Sequence, residues 1–184
     1  MIFDMIAAAA LASTQGSGGE TPFTSFDNSI PGWSVVRRPD GCFSYTTGGG
    51  PADTSLNIFY KVDEGAAPSL ILLFSNESWR LPEESVRGFR IQFVGSDGDW
   101  TNLSGDSLQD MGDGDNIGIV SLDFDETAIP LMLTDVVRGT GLNFYRDTGL
   151  LDRLLLPNSP AAVGRLLDCV RTVTTQPIAT VPTR

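Results

Sequence analysis

The 184-residue sequence contains no histidine and only two cysteines, and no apolar run approaches the roughly 20 residues of a membrane span. Without histidine there is no imidazole base for a serine or cysteine nucleophile, and there is no HExxH or Cys/His zinc site. A CxxC motif is absent as well, so redox catalysis has no support. These absences exclude most hydrolase mechanisms and favour a non-enzymatic protein.

The composition indicates one folded domain. With 41% hydrophobic and 19% charged residues, the chain is too apolar to remain disordered and long enough to bury about two-thirds of its surface. We expect this domain to span residues 23–173.

The charge is negative and unevenly distributed. Twelve Lys and Arg against 23 Asp and Glu give a formal charge of −11, which makes nucleic acid an unfavourable partner. No basic residue lies between Arg90 and Arg138. That stretch holds ten acids: Asp97, Asp99, Asp106, Asp110, Asp113, Asp115, Asp123, Asp125, Glu126 and Asp135. Any electrostatic function is therefore expected in the acidic middle of the chain.

The first residues resemble an export signal. Residues 1–12 are apolar and end in Ala10-Leu11-Ala12 before Ser13, which fits a signal-peptidase site, although Asp4 is atypical of the positively charged start. An apolar N-terminal helix packed on the domain and a membrane-proximal anchor are the alternatives. We expect a flexible lead at 13–22, a disordered tail at 174–184, no stable membrane insertion, and a periplasmic or extracellular location.

Cys42 and Cys169 bear on the same question. Two distant cysteines in an exported chain usually pair, and the bridge would close a long loop. Two buried, reduced thiols are the alternative.

Turn residues divide the first half into strands. A turn at Pro39-Asp40-Gly41 separates two strands, and Leu56, Ile58, Tyr60 and Val62 share one face of a half-buried strand. Residues 70–74 are apolar on both faces and predict a central strand, and further strands are expected at 89–93 and 117–124.

The second half is more helical. Residues 126–138 predict a short helix, 142–145 and 153–156 predict strands, and a final helix is expected with Ser159 as its N-cap and Pro160 at N1. The predicted fold is mainly β (α+β), an antiparallel sheet or a β-sandwich with one or two helices in the C-terminal half.

Three short motifs resemble catalytic signatures and are better explained structurally. Gly105-Asp106-Ser107-Leu108 matches the GDSL hydrolases but lacks their histidine. Asp147-Thr148-Gly149 matches aspartic proteases, yet a turn between strands explains it. The DxDxT spacing from Asp97 is interpreted as a hairpin tip with Trp100 beside it. Trp33 and Trp79 are predicted core residues.

The acidic 97–115 segment, predicted to be a loop, is a candidate calcium site. Carboxylates of Asp106, Asp110, Asp113 and Asp115 supply the hard oxygen ligands that calcium prefers. Ile117 and Phe124 occupy two EF-hand ligand positions, which excludes a true EF-hand. The alternative is a solvated acidic loop.

The order of Gly32-Trp33-Ser34-Val35, Asp40-Gly41-Cys42 and a closing Leu156-Pro157-Asn158-Ser159-Pro160-Ala161-Ala162 segment resembles small exported alphaproteobacterial proteins of the invasion-associated locus B type. The resemblance implies a β-rich sandwich and supplies no catalytic residues. The further cysteines usual in that family are absent.

The sequence therefore predicts an exported, non-enzymatic, β-rich domain that binds a protein or cell-envelope partner. A calcium-stabilised module is the alternative. A carboxylate-only enzyme would need two or more acids with raised pKa in one cleft. The sequence does not fix the oligomeric state.

Overall fold

A single antiparallel sheet organises the molecule. The computed structural model describes residues 24–47, 54–63, 65–81, 84–110 and 117–174. Their elements are β1 (Thr24–Asp27), β2 (Ser34–Arg38), β3 (Gly41–Thr47), β4 (Ser55–Lys61), β5 (Ser69–Asn76), β6 (Glu84–Val94), β7 (Asp99–Asp110), β8 (Ile117–Phe124), α1 (Ile129–Arg138), β9 (Gly141–Arg146), β10 (Gly149–Leu155) and α2 (Ser159–Val173). The ten strands are ordered β1-β2-β3-β4-β5-β8-β7-β6-β9-β10.

This architecture confirms the predicted mainly β fold with helices in the C-terminal half. Of the two predicted arrangements, an antiparallel sheet or a β-sandwich, the described residues form a single antiparallel sheet. The predicted signal peptide at 1–12, the lead at 13–22 and all but the first residue of the predicted tail lie outside the described residues. Within the described part, no helix has both the length and the apolar character needed to cross a membrane.

The predicted β2–β3 hairpin forms at Pro39-Asp40-Gly41. Gly41 has a φ of +148°, and a side chain there would collide with the backbone oxygen of Tyr60 in β4. Both conditions require glycine, because any other residue would be strained and would displace the neighbouring strand.

The prediction that β4 is half-buried is wrong, because both of its faces are covered. Leu56, Ile58 and Tyr60 point into the main core as predicted, while Phe59 on the opposite face is fully buried. Phe59 stacks on Phe43 of β3 with 4.4 Å between ring centroids. A second apolar cluster on the outer face therefore buries the side of β4 that was expected to be exposed.

The sheet curls strongly around its inner core. Phe74 of β5 and Phe144 of β9 stack with 4.2 Å between ring centroids, although β8, β7 and β6 lie between their strands. Four strand spacings amount to about 19 Å along a flat sheet. The contact is possible only because the sheet folds over on itself, so that β9 and β10 face β5 across the core.

Helix α2 closes the core beside β2 and β3. Its predicted apolar stripe of Val163, Leu166, Leu167 and Val170 is buried. Cys169, also buried, forms a disulfide with Cys42 of β3, with the two Cα atoms 6.1 Å apart. The pairing predicted as one of two alternatives is thus present.

The start of α2 differs from the prediction by one residue. Asn158, with a φ of +57°, is the N-cap, and Ser159 is the first helical residue. Ser159 is buried, and its hydroxyl donates to the backbone oxygen of Gly139 at 3.3 Å. The hydroxyl therefore serves a tertiary contact instead of capping the helix.

Residues 99–110 form the long strand β7, so most of the predicted acidic loop is in the sheet. The strand escaped prediction because two inward positions in its second half, Gly105 and Ser107, are small and not apolar. Gly105 faces Leu122 of β8 so closely that a side chain at 105 would collide with it, and Ser107 is 2% exposed. Small inward residues remove the apolar alternation that marks a half-buried strand.

Candidate functional site

The structure does not assemble the predicted calcium ligands into one described site. Asp106 lies in the middle of β7, and Asp110 is the last residue of the same strand. Asp113 and Asp115 lie outside the described residues. No group of three or more acidic or cysteine side chains in the described ranges is arranged to hold a metal ion. Calcium binding stays a prediction.

Asp123 of β8 is the described carboxyl group whose pKa is raised. Partial desolvation of the carboxyl group is the larger cause, and the nearby carboxylate of Asp106 adds to it, while Lys61 acts in the opposite direction. Asp27, Asp99 and Asp125 instead have lowered pKa values. Two raised carboxyl groups in one cleft, the requirement for a carboxylate enzyme, are not found among the described residues.

The three motifs that resemble catalytic signatures lie in strands and turns of the sheet. Ser107 of the GDSL segment is buried within β7. Asp147 of the DTG segment has a φ of +52° in the turn between β9 and β10, as predicted. Asp99 follows the β6–β7 turn, and both of its carboxylate oxygens accept from Arg90 at 2.7 Å.

Exposed apolar side chains point instead to the last strands of the sheet. Of the large apolar residues exposed in the described part, Val94 is 47% exposed, Leu150 42%, Leu155 58% and Leu131 61%. Leu131 lies on helix α1. The other three lie on β6 and β10 and share the outer side of the sheet.

The strand register shows how this surface is built. Ile91, Phe93, Leu142, Phe144 and Leu154 fill the core, so the alternate positions of these strands point outward. We call the outward set the β6–β9–β10 face. It comprises Arg90, Gln92 and Val94 of β6, Gly141, Asn143 and Tyr145 of β9, and Leu150, Arg153 and Leu155 of β10.

These nine positions form three rows across the strands. Leu155, Gly141 and Val94 are direct cross-strand neighbours in the first row. Arg153, Asn143 and Gln92 form the second row, and Leu150, Tyr145 and Arg90 form the third. Apolar aliphatic side chains therefore lie in the first and third rows, and the second and third rows carry the polar and charged side chains.

The polar side chains of the second and third rows hold one another in place. Asn143 Nδ2 and Tyr145 Oη both donate to Gln92 Oε1, at 3.4 and 3.3 Å. The Arg90 guanidinium lies 5.2 Å from the centroid of the Tyr145 ring, a cation–π distance. Each side chain is held by its neighbours, so a ligand would meet a surface that is already organised.

The charged groups of the face differ in their pairing. Arg90 and Asp99 share two hydrogen bonds, which raise the pKa of Arg90 and lower the pKa of Asp99. Arg153 is exposed and forms no ion pair with any described residue. Among the described residues it therefore has no charged partner, and the nine positions of the face include no acidic residue.

A polar junction fixes β10 against the other side of the curled sheet. The carboxylate of Asp152 accepts from the hydroxyl of Thr54, just before β4, and from Asn76 Nδ2 of β5 at 3.1 Å. Its other oxygen accepts the backbone N–H of Arg153 at 2.7 Å. Because Asp152 points inward, it fixes β10 from the inner side of the sheet and does not cover the outer face.

Sequence reasoning missed this face. The available signal was the run Gly149-Leu150-Leu151-Asp152-Arg153-Leu154-Leu155-Leu156, which has more leucines than one buried side of a strand can use. Its neighbours were not predictable, because the order β7-β6-β9-β10 depends on long-range pairing.

Comparisons with family models, with curated protein sequences and with solved structures give no match to this chain.

Proposed function

We propose that the protein is an exported binding module that engages a protein partner, in solution or in the cell envelope, through the β6–β9–β10 face. One observation carries the proposal: three of the four large apolar side chains exposed in the described part gather on this face. They lie beside Tyr145, Arg90, Asn143 and Gln92, whose side chains contact one another. Apolar, aromatic and arginine side chains around an ordered polar centre are typical of protein interfaces.

Export is supported by the cysteine pair and the N-terminal sequence. Disulfides persist mainly in oxidising compartments, and Cys42 and Cys169 are paired. The apolar stretch 1–12 ends in a signal-peptidase pattern. A periplasmic or extracellular location is thus part of the proposal, as is kinship with invasion-associated locus B proteins.

Intact mass of the protein from its native host tests export. We expect a chain that begins at Ser13 and gains no alkylation until a reductant is added. A chain that retains residues 1–12, with two thiols alkylated without reductant, would contradict export.

Site-specific photo-crosslinking in the native host tests the face. A benzophenone amino acid at Leu155 should give a discrete protein adduct, because this side chain is exposed within the proposed interface. Leu131 is the matched control, since it is a leucine of similar exposure on α1.

The adduct at position 155 should be lost when Arg153→Glu or Leu150→Asp is added, and the control position should give no adduct of the same mass. Equal labelling at 155 and 131, or none at 155, would overturn the proposed interface.

A further inference from the structure

We infer that the segment bound by the β6–β9–β10 face presents an apolar side chain and, about 7 Å away, a carboxylate. This inference rests on the proposed function and specifies the chemistry of its partner. The apolar side chain would pack against Leu155 and Val94, on either side of Gly141, and the carboxylate would pair with Arg153.

The apolar position is the first row of the face. Gly141 pairs directly with Leu155 on one side and with Val94 on the other. Neighbouring strands are about 4.8 Å apart, so the Cα atoms of Leu155 and Val94 lie about 10 Å apart. Their side chains are 58% and 47% exposed, so one apolar side chain of a partner can touch both.

Gly141 itself is buried, and a Cβ atom there would lie 2.6 Å from the backbone oxygen of Leu154. The strand pairing therefore requires glycine at this position, and the accessible apolar surface of the row belongs to Leu155 and Val94.

The charge requirement comes from the second row. Arg153 is two residues from Leu155 on the same strand, which places the two Cα atoms about 7 Å apart. Arg153 has no ion pair among the described residues, whereas Arg90 is neutralised by Asp99. None of the nine positions of the face is acidic. A partner carboxylate complements the free guanidinium, and a partner cation would be repelled by it.

Charge disfavours a second copy of this chain as the occupant. A two-fold interface brings the same patch of both copies together. Arg153, which has no ion pair among the described residues, would then meet a face without an acidic position. The contact would lack the carboxylate that complements the guanidinium.

Addition of a partner strand to the edge of β10 is also less favourable. The N–H of Arg153 is already taken by the carboxylate of Asp152. A strand added there would lose a backbone hydrogen bond at the middle of the edge. The outer face, in contrast, is unobstructed at Leu155 and Val94.

Selection from a displayed library of random 12-residue peptides on the purified, disulfide-bonded protein tests the inference. We expect peptides that bind wild type and Leu131→Asp but are lost on Leu155→Asp to share an apolar residue close to Asp or Glu. Their affinity should fall about tenfold on Arg153→Glu and should weaken with salt. Arg153→Glu should in turn select Lys- or Arg-containing peptides.

Three other outcomes would overturn the inference. Peptides that depend on Leu155 but contain no acidic residue, and whose affinity is unchanged in Arg153→Glu, would exclude a carboxylate in the ligand. Failure to select any peptide that depends on Leu155 would exclude a short apolar-acidic segment. A dimer seen by sedimentation and abolished by Leu155→Asp would identify a second copy as the occupant. The proposed function fails separately, through the absence of a crosslink at position 155.

Discussion

At the scale of single residues, neighbouring acids of this chain differ in role because their surroundings differ. Asp125 accepts hydrogen bonds from the backbone N–H and hydroxyl of Thr127 and from the N–H of Ala128, just before helix α1. Asp123, two residues earlier, lies on the outer face of β8 near Asp106. The first carboxylate is stabilised in its charged form, and the second is destabilised.

Asp125→Ala should lower the melting temperature at neutral pH. Hydrogen bonds from Thr127 hold the pKa of Asp125 below its ordinary value of 3.8. Its contribution is therefore present above that value and is lost as the pH falls through the lowered pKa. Thermal melts between pH 7 and pH 2 should show the gap between wild type and variant closing in acid. Glu126→Ala, which removes the adjacent exposed acid, should show no such gap.

Asp123→Asn should stabilise the protein slightly at pH 7, by about 0.5 kcal/mol, since the site is at the surface. Partial desolvation and the charge of Asp106 raise the pKa of Asp123 above 3.8, so the folded state favours the protonated form. The gain should vanish as the pH falls below 3.8, where wild-type Asp123 is neutral in both states. Urea titrations at several pH values measure it. A gain of equal size in Glu77→Gln, or one that persists at pH 3, would contradict the assignment.

At the scale of elements, the strands were largely predictable and their neighbours were not. Alternation in 89–93 and the doubly apolar run at 70–74 correctly located β6 and β5. The strands β1 and β7 were missed. In β7 the partner strands β6 and β8 impose the extended conformation on a largely polar segment, in which the inward Gly105 and Ser107 interrupt the apolar alternation. Propensity yields there to tertiary pairing.

The polar junction on the inner side of β10 should contribute strongly to the free energy of unfolding. Asn76 is 2% exposed, donates to Thr54 at 2.5 Å and to Asp152, and accepts from the N–H of Ser78 at 2.6 Å. Asn76→Ala would leave buried partners unsatisfied, so we expect a loss of about 1 to 3 kcal/mol of unfolding free energy. Denaturant titration measures this loss, and Thr101→Ala, at an exposed position of β7, serves as a neutral control.

A double-mutant cycle separates this junction from a general loss of packing. Asn76 and Asp152 share a hydrogen bond, so the combined loss in Asn76→Ala with Asp152→Ala should be smaller than the sum of the single losses. Strict additivity would show that the two side chains act independently and would contradict the junction.

At the scale of the whole molecule, one covalent link and one aromatic stack close the structure. The disulfide joins β3 near the start of the chain to α2 at the end of the described part, across 127 residues. The stack of Phe74 on Phe144 closes the curled sheet. The candidate face depends on this closure, because β10 is held from below while its outer side remains open.

Removal of the disulfide by Cys42→Ala with Cys169→Ala should cost about 4 to 5 kcal/mol in the chain-entropy model, because the closed loop is long. That is a large fraction of the stability of an ordinary domain. Denaturant titration of the variant and of wild type, each with and without reductant, measures the loss. A wild type whose midpoint is unchanged by complete reduction would contradict this role.

The sequence by itself determined the β-rich class, most strand positions, both helices and the exclusion of histidine chemistry, because these depend on local pattern and composition. It left a disulfide between the two cysteines as one of two alternatives, the other being two reduced thiols. Only the tertiary structure decided that both faces of β4 are buried and that β7 is a strand. It also decided that Leu155, Gly141 and Val94 meet in one row. Those features arise from register between segments far apart in sequence, which no local pattern records.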